Sequence, residues 1–67
     1  MEQNNSQFLP FDFNKFLRSN NIWHLDLAVL LKYSFSGIVT MARRGTIKKA
    51  LIPDIENTYP NVKEFLL

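Results

Sequence analysis

Leu27-Ala28-Val29-Leu30-Leu31-Lys32-Tyr33-Ser34-Phe35-Ser36-Gly37-Ile38-Val39-Thr40-Met41-Ala42-Arg43-Arg44 is the stretch on which the organisation of this chain turns. An apolar helical run breaks at Tyr33-Ser34, and a second run that starts with Phe35 ends on two arginines. Ser34 predicts a new helix from Phe35, because a serine oxygen at a helix start accepts a hydrogen bond from an otherwise unpaired backbone N–H. Once that helix begins, Ile38 and Met41 fall three residues apart and turn inward, while the first turn stays exposed. This is the spacing of a helix-turn-helix, whose second helix can lie in a DNA groove with its own core behind it.

Outward from this stretch the chain reads as about five short helices. Asp12 is a suitable N-cap for a first helix through about Ser19, with Phe13, Phe16 and Leu17 on its inner side, and Phe8-Leu9-Pro10-Phe11 is an apolar lead-in. Asn20-Asn21 ends that helix, since Asn tolerates a left-handed backbone. The second helix runs from about Trp23 or His24 to Lys32, with Leu27, Ala28, Leu30 and Leu31 facing inward. The third runs from Phe35 to Arg44, and Gly45 is a natural stop. Thr46 is a possible cap for a helix through Ile52, but Pro53 would remove a hydrogen bond from its interior and clash with the preceding turn, at a cost of about 3 kcal/mol. The favoured reading makes residues 47–52 a loop or extra turn and Pro53 the first residue of a helix to about Tyr59, with Asp54 and Glu56 complementing its dipole. Pro60 stops it, and residues 62–66 form a last short turn.

The expected fold class is therefore all-α, a single helical domain over residues 8–67 that follows a flexible tail, residues 1–7. The tail's Asn, Gln and Ser residues bury too little apolar surface to offset chain entropy. With 67 residues and no cysteine, the core is small and gains nothing from disulfides or thiolate–metal sites, so pairing with a second copy is an economical way to add buried surface. The polar amino-terminal segment does not read as a signal peptide, and Leu27–Leu31 falls far short of the roughly 20 apolar residues that span a bilayer. The expectation is a cytoplasmic protein with no membrane partner.

Catalysis has little to work with. The chain has one histidine, and its six acids stand apart at positions 2, 12, 26, 54, 56 and 64. Two glycines, Gly37 and Gly45, make no phosphate-cradling loop. The sequence predicts no enzyme, no metal and no cofactor.

Net charge is only +2, but its distribution is uneven. No acid lies between Asp26 and Asp54, whereas Lys32, Arg43, Arg44, Lys48 and Lys49, five of the eight bases, do. That is the electrostatic footprint of a phosphate-binding face, and equally the composition of a solvated basic surface.

With these residues in view, the chain from Ile22 onward resembles the XRE/Cro-type helix-turn-helix of phage and bacterial repressors. Residues 22–45 carry the resemblance best; the first helix carries it loosely, and residues 55–62 are similar to the helix and turn that often close such domains. His24 stands at the start of the family's second helix, Leu27-Ala28 match its Leu-Ala pair, Tyr33-Ser34 take the positions that end the turn, and Ile38 and Met41 take the buried positions of the recognition helix. Two residues depart from the pattern. Lys32 stands where the turn usually has Gly, requiring a positive φ or a different turn. Gly37 replaces a usual Thr or Ser, at roughly 1 kcal/mol of helix propensity.

The resemblance implies a lambda-repressor-like bundle and assigns roles. Phe35, Ser36 and Thr40 would face base edges, Phe35 meeting a thymine methyl. This polar code is thin, so DNA shape would contribute to specificity. Arg43, Arg44, Lys48 and Lys49 would contact phosphates, and His24 with the start of its helix would hold another. Each residue also has a plainer role: Phe35 as core, Trp23 and His24 as a helix start packed on helix 1, Arg43 and Arg44 as partners of Asp54 or Glu56. Val62, Phe65, Leu66 and Leu67 form an apolar ending expected to serve as a homodimer interface. Two functions follow: a small repressor that binds double-stranded DNA at an operator and acts by occupancy, or a protein-interaction module on the same scaffold, an antirepressor or inhibitor of another regulatory protein.

Overall fold

In the computed structural model, which describes residues 7–67, the chain enters as a strand. Apart from Gln7, the segment read as a flexible tail lies outside the described residues. β1 (Phe8–Pro10) is followed by α1 (Phe13–Asn20), α2 (His24–Leu31), α3 (Phe35–Arg44), β2 (Thr46–Lys48), a 3₁₀ turn (Lys49–Leu51), α4 (Ile52–Thr58) and a 3₁₀ helix (Pro60–Phe65). The fold is mostly helical, but β1 and β2 make a two-stranded antiparallel sheet that pairs Phe8 with Lys48, Leu9 with Ile47 and Pro10 with Thr46. The helical expectation holds for most of the chain and the sheet corrects its all-α part; of the loop or extra turn expected at 47–52, the turn is present at Lys49–Leu51, while Ile47 and Lys48 belong to the strand. Gly45 reverses the chain at φ 69°, and Thr46 and Ile47, both β-branched, then suit an extended segment.

Local chemistry sets the helix boundaries. Lys15 N–H donates to Asp12 Oδ1 at 3.2 Å at the start of α1, and Asn21 ends it in the left-handed region at φ 57°. Trp23 N–H donates to Asp26 Oδ2 at 2.8 Å at the start of α2. Gly37 N–H donates to Ser34 Oγ at 3.1 Å at the start of α3. α4 begins one residue before Pro53 and ends at Thr58. Pro60 does not merely stop that helix; it opens the closing 3₁₀ helix.

The core is built round aromatic rings. Phe11, Phe13, Phe16, Leu17, Leu27, Ala28, Ile38, Met41, Ile47, Leu51, Ile52, Ile55, Val62 and Phe65 are buried together. Phe16 sits at the hub: its ring centre lies 5.6 Å from Phe11, 5.7 Å from Phe65 and 6.0 Å from Tyr59, the last two in edge-to-face contact. Phe11 N–H donates to the Gly45 carbonyl and Asp12 N–H to the Phe65 carbonyl, both at 2.8 Å, while Leu67 N–H donates to the Pro10 carbonyl at 3.0 Å. Residues 8–12 are thus held between the segment after α3 and the closing segment.

This removes most of the expected dimer interface. Val62 is fully buried and Phe65 nearly so, Leu66 is half-buried and bridges Phe11, and only Leu67 is exposed. The apolar ending covers the chain's own Phe11–Phe16 cluster. Leu30, expected to face inward, is 40% exposed. Among the described residues no helix is long and apolar enough to cross a membrane.

Candidate nucleic-acid interface

Between α2 and α3 the chain turns over Lys32, Tyr33 and Ser34. Lys32 takes the left-handed conformation, φ 53° and ψ 44°, which is where glycine is the unstrained residue. A non-glycine residue there costs roughly 1–2 kcal/mol, so the turn holds its shape against the local preference of its own residue. Tyr33 N–H donates to the Ala28 carbonyl at 2.9 Å and closes α2. The Tyr33 ring then folds over the first turn of α3. A Cβ placed on Gly37 would lie 2.6 Å from Tyr33 Cε2 and 2.8 Å from Ser34 Oγ. At the glycine that departs from the usual pattern, an added methyl would therefore have to push the Tyr33 ring and the capping hydroxyl aside.

Burial of Ile38 and Met41 fixes which side of α3 looks out. Ser36, Thr40, Arg43 and Arg44 are exposed, and Phe35 is 51% exposed, so the role of Phe35 as core is not the one adopted. Ser36, Thr40 and Arg44, four residues apart along the helix, share one groove of about 420 Å³ with Phe8, Tyr33, Ser34, Gly37, Met41 and Thr46. Thr40 Oγ1 donates to the Ser36 carbonyl at 2.8 Å, which commits its hydrogen and leaves an acceptor lone pair and a methyl to face outward. Ser36 keeps a hydroxyl that can donate.

β2 adds to this side. Ile47 is buried, so Thr46 and Lys48 point together to the opposite face of the strand, and Thr46 lines the α3 groove. Lys48 follows on that face, and Lys49 lies beside it round a shallower hollow with Gln7 and Ala50. Arg43 and Arg44 do not pair with Asp54 or Glu56: the ion pair among the described residues joins Lys63 Nζ and Glu56 Oε1 at 3.6 Å.

His24 is elsewhere. It stacks on Phe13, ring centres 6.4 Å apart and planes 7° from parallel. It lines a separate hollow of about 500 Å³ with Asn14, Leu17, Arg18, Asn21, Ile22 and Trp23. Arg18 is the base beside it, and sequence reasoning had not placed it there; its position on α1, six residues before His24, gave no signal. Among the described residues no three His, Cys, Asp or Glu side chains group as metal ligands. No family model matches the chain, and no curated protein or solved structure matches it.

Proposed function

We propose that the protein is a small sequence-specific DNA-binding transcriptional regulator of the Cro-like kind, cytoplasmic, with α3 as its recognition helix and repression by operator occupancy. One observation carries this reading: the turn at Lys32–Ser34 presents α3 with Ile38 and Met41 buried and Phe35, Ser36, Thr40, Arg43 and Arg44 outward. An exposed helix with small polar residues early and arginines late suits a major groove, the short side chains admitting close approach and the long ones reaching phosphates. Thr40 and Phe35 offer apolar contact to thymine methyls, Ser36 offers a hydroxyl, and Lys48 and Lys49 extend the positive surface along β2 and its following turn.

The test is fluorescence anisotropy with a labelled mixed-sequence duplex between about 50 and 200 mM salt. Four phosphate contacts, from Arg43, Arg44, Lys48 and Lys49, give log K against log salt a slope of about −4. Arg43→Ala with Arg44→Ala weakens binding and brings that slope to about −2. Affinity untouched by the double substitution would place the DNA contact elsewhere or nowhere.

A second reading, a protein-interaction module acting on another regulator, is supported by the outer side of α2, where Trp23, Leu25, Val29 and Leu30 are exposed.

A further inference from the structure

β1 brings the beginning of the described chain onto the side of the molecule that α3 presents. Leu9 packs against the core opposite buried Ile47, so Phe8 and Pro10 point the other way, opposite Lys48 and Thr46. Phe8 is 42% exposed and lines the α3 groove. A lone exposed phenylalanine is ordinary on a protein surface. This one differs in its surroundings. The other exposed side chains lining the groove carry hydroxyls or charge, Ser34, Ser36, Thr40 and Arg44. The strand that carries it is also tied down, by Phe11 N–H to the Gly45 carbonyl and Leu67 N–H to the Pro10 carbonyl. On α3 itself, Ser36 lies opposite the buried Ile38 and Met41, and Thr40 and Arg44 lean toward the sheet, where Phe8 and Thr46 share their groove. Phe35, 51% exposed, stands on the flank away from the sheet. Two exposed rings thus bracket one polar strip.

We propose that Phe8 is a further base-reading residue, its ring meeting a thymine 5-methyl at the wall of the major groove beside the bases that Ser36 and Thr40 face. The inference rests on the reading of α3 as a recognition helix and deepens it. When such a helix lies along a major groove, what stands on its flank meets the wall of that groove. The thymine methyl is the apolar group that base pairs present there. Arg44 across the groove from the ring, and Lys48 opposite it in the strand pair, take the phosphates of the same wall and fix the register in which the ring reads.

The chemistry of the groove favours a methyl over a sugar as the group that meets the ring. Thr40 commits its hydroxyl hydrogen to the Ser36 carbonyl at 2.8 Å, so it offers the groove a methyl and an acceptor rather than a donor. A methyl and a phenyl ring in one groove make an apolar notch between polar neighbours, and a thymine methyl fits such a notch without leaving a donor or acceptor unpaired. The contact also adds sequence information where α3 alone supplies little, since Ser36 and Thr40 are its only outward hydroxyls beyond the cap.

The test begins with duplexes that the full chain selects from a random-sequence pool. In the best enriched duplex each thymine is replaced in turn by deoxyuridine, which lacks only the 5-methyl. At the thymine that the ring meets, the replacement weakens wild-type binding about three- to fivefold, the loss of one buried methyl. That penalty is gone in Phe8→Thr, which keeps the strand preference, and stays in Phe35→Ala, on the other flank. Circular dichroism and the thermal midpoint check that Phe8→Thr is folded; should it loosen the strand, Phe8→Leu keeps the apolar cover and shows a reduced penalty at the same thymine. A pool that yields no enriched duplex overturns this inference together with the reading of α3. An enriched duplex that loses affinity in Arg43→Ala with Arg44→Ala, yet shows no deoxyuridine penalty that depends on Phe8, overturns this inference alone. An equal loss from Phe8→Thr on every duplex, with or without the methyl, assigns the ring to the sugar-phosphate backbone and overturns base reading.

Discussion

Gly37 shows how a single residue is chosen by its neighbour. Its helix position argues for alanine, worth roughly 1 kcal/mol in propensity. The Tyr33 ring and the Ser34 hydroxyl argue against it, since the added methyl carbon would sit 2.6 Å from one and 2.8 Å from the other. Displacing a packed ring costs about 1–3 kcal/mol, and disturbing the cap costs about 1 kcal/mol more. Gly37→Ala is therefore expected to destabilise the protein by about 1–3 kcal/mol, read as a drop of roughly 4–8 °C per kcal/mol in a thermal melt. An unchanged or higher midpoint would mean that the ring swings aside freely. From the sequence Gly37 looked like a weakness in α3, because the close approach that favours glycine depends on the direction of the Tyr33 ring, which spacing does not specify.

Among the elements, the turn between α2 and α3 carries the clearest cost. Lys32 occupies φ 53°, and Lys32→Gly relieves that strain at the expense of a more flexible unfolded chain. The balance favours the variant by about 0.5–1 kcal/mol, seen as a higher urea midpoint with an unchanged slope. A lower midpoint would show that the lysine side chain contributes more than its backbone costs. α1, α3 and the turn were legible because their signals are local: Asp12, Ser34 and Gly45 act within three residues of the ends they mark. The sheet was not. Phe8–Pro10 and Thr46–Lys48 are three residues each, too short for alternation to show, and their pairing is a long-range event with no local signature. α2 was half legible: its helical course followed from composition, but with apolar residues on all sides no polar stripe indicated which way Leu30 faces.

At the scale of the whole molecule, the apolar ending serves the core, while Trp23, Leu25, Val29 and Leu30 on the outer side of α2 stand exposed. Val62 belongs to the core, so Val62→Ala is expected to cost roughly 1–3 kcal/mol with the same loss at every protein concentration. Val29→Glu, at an exposed position, is expected to change stability by no more than about 0.5 kcal/mol. Melts of both variants over a range of concentrations separate the two, and a concentration-dependent loss in Val62→Ala would return the closing segment to an interface. The misassignment has a physical origin. Hydrophobicity says that a side chain must be covered, and only the path of the chain says whether it is covered from within or by another molecule.

The hydrogen bonds that fasten Phe11 to Gly45 and Asp12 to Phe65 also set a schedule for the chain as it is made. The last partners of residues 8–12 are synthesised about three to ten seconds after them at roughly 5–20 residues per second. For that interval Phe11, Phe13 and Phe16 have no Phe65 or Val62 to cover them. A chain that still lacks the closing segment therefore leaves this aromatic centre uncovered, and the cluster is completed only when that segment arrives.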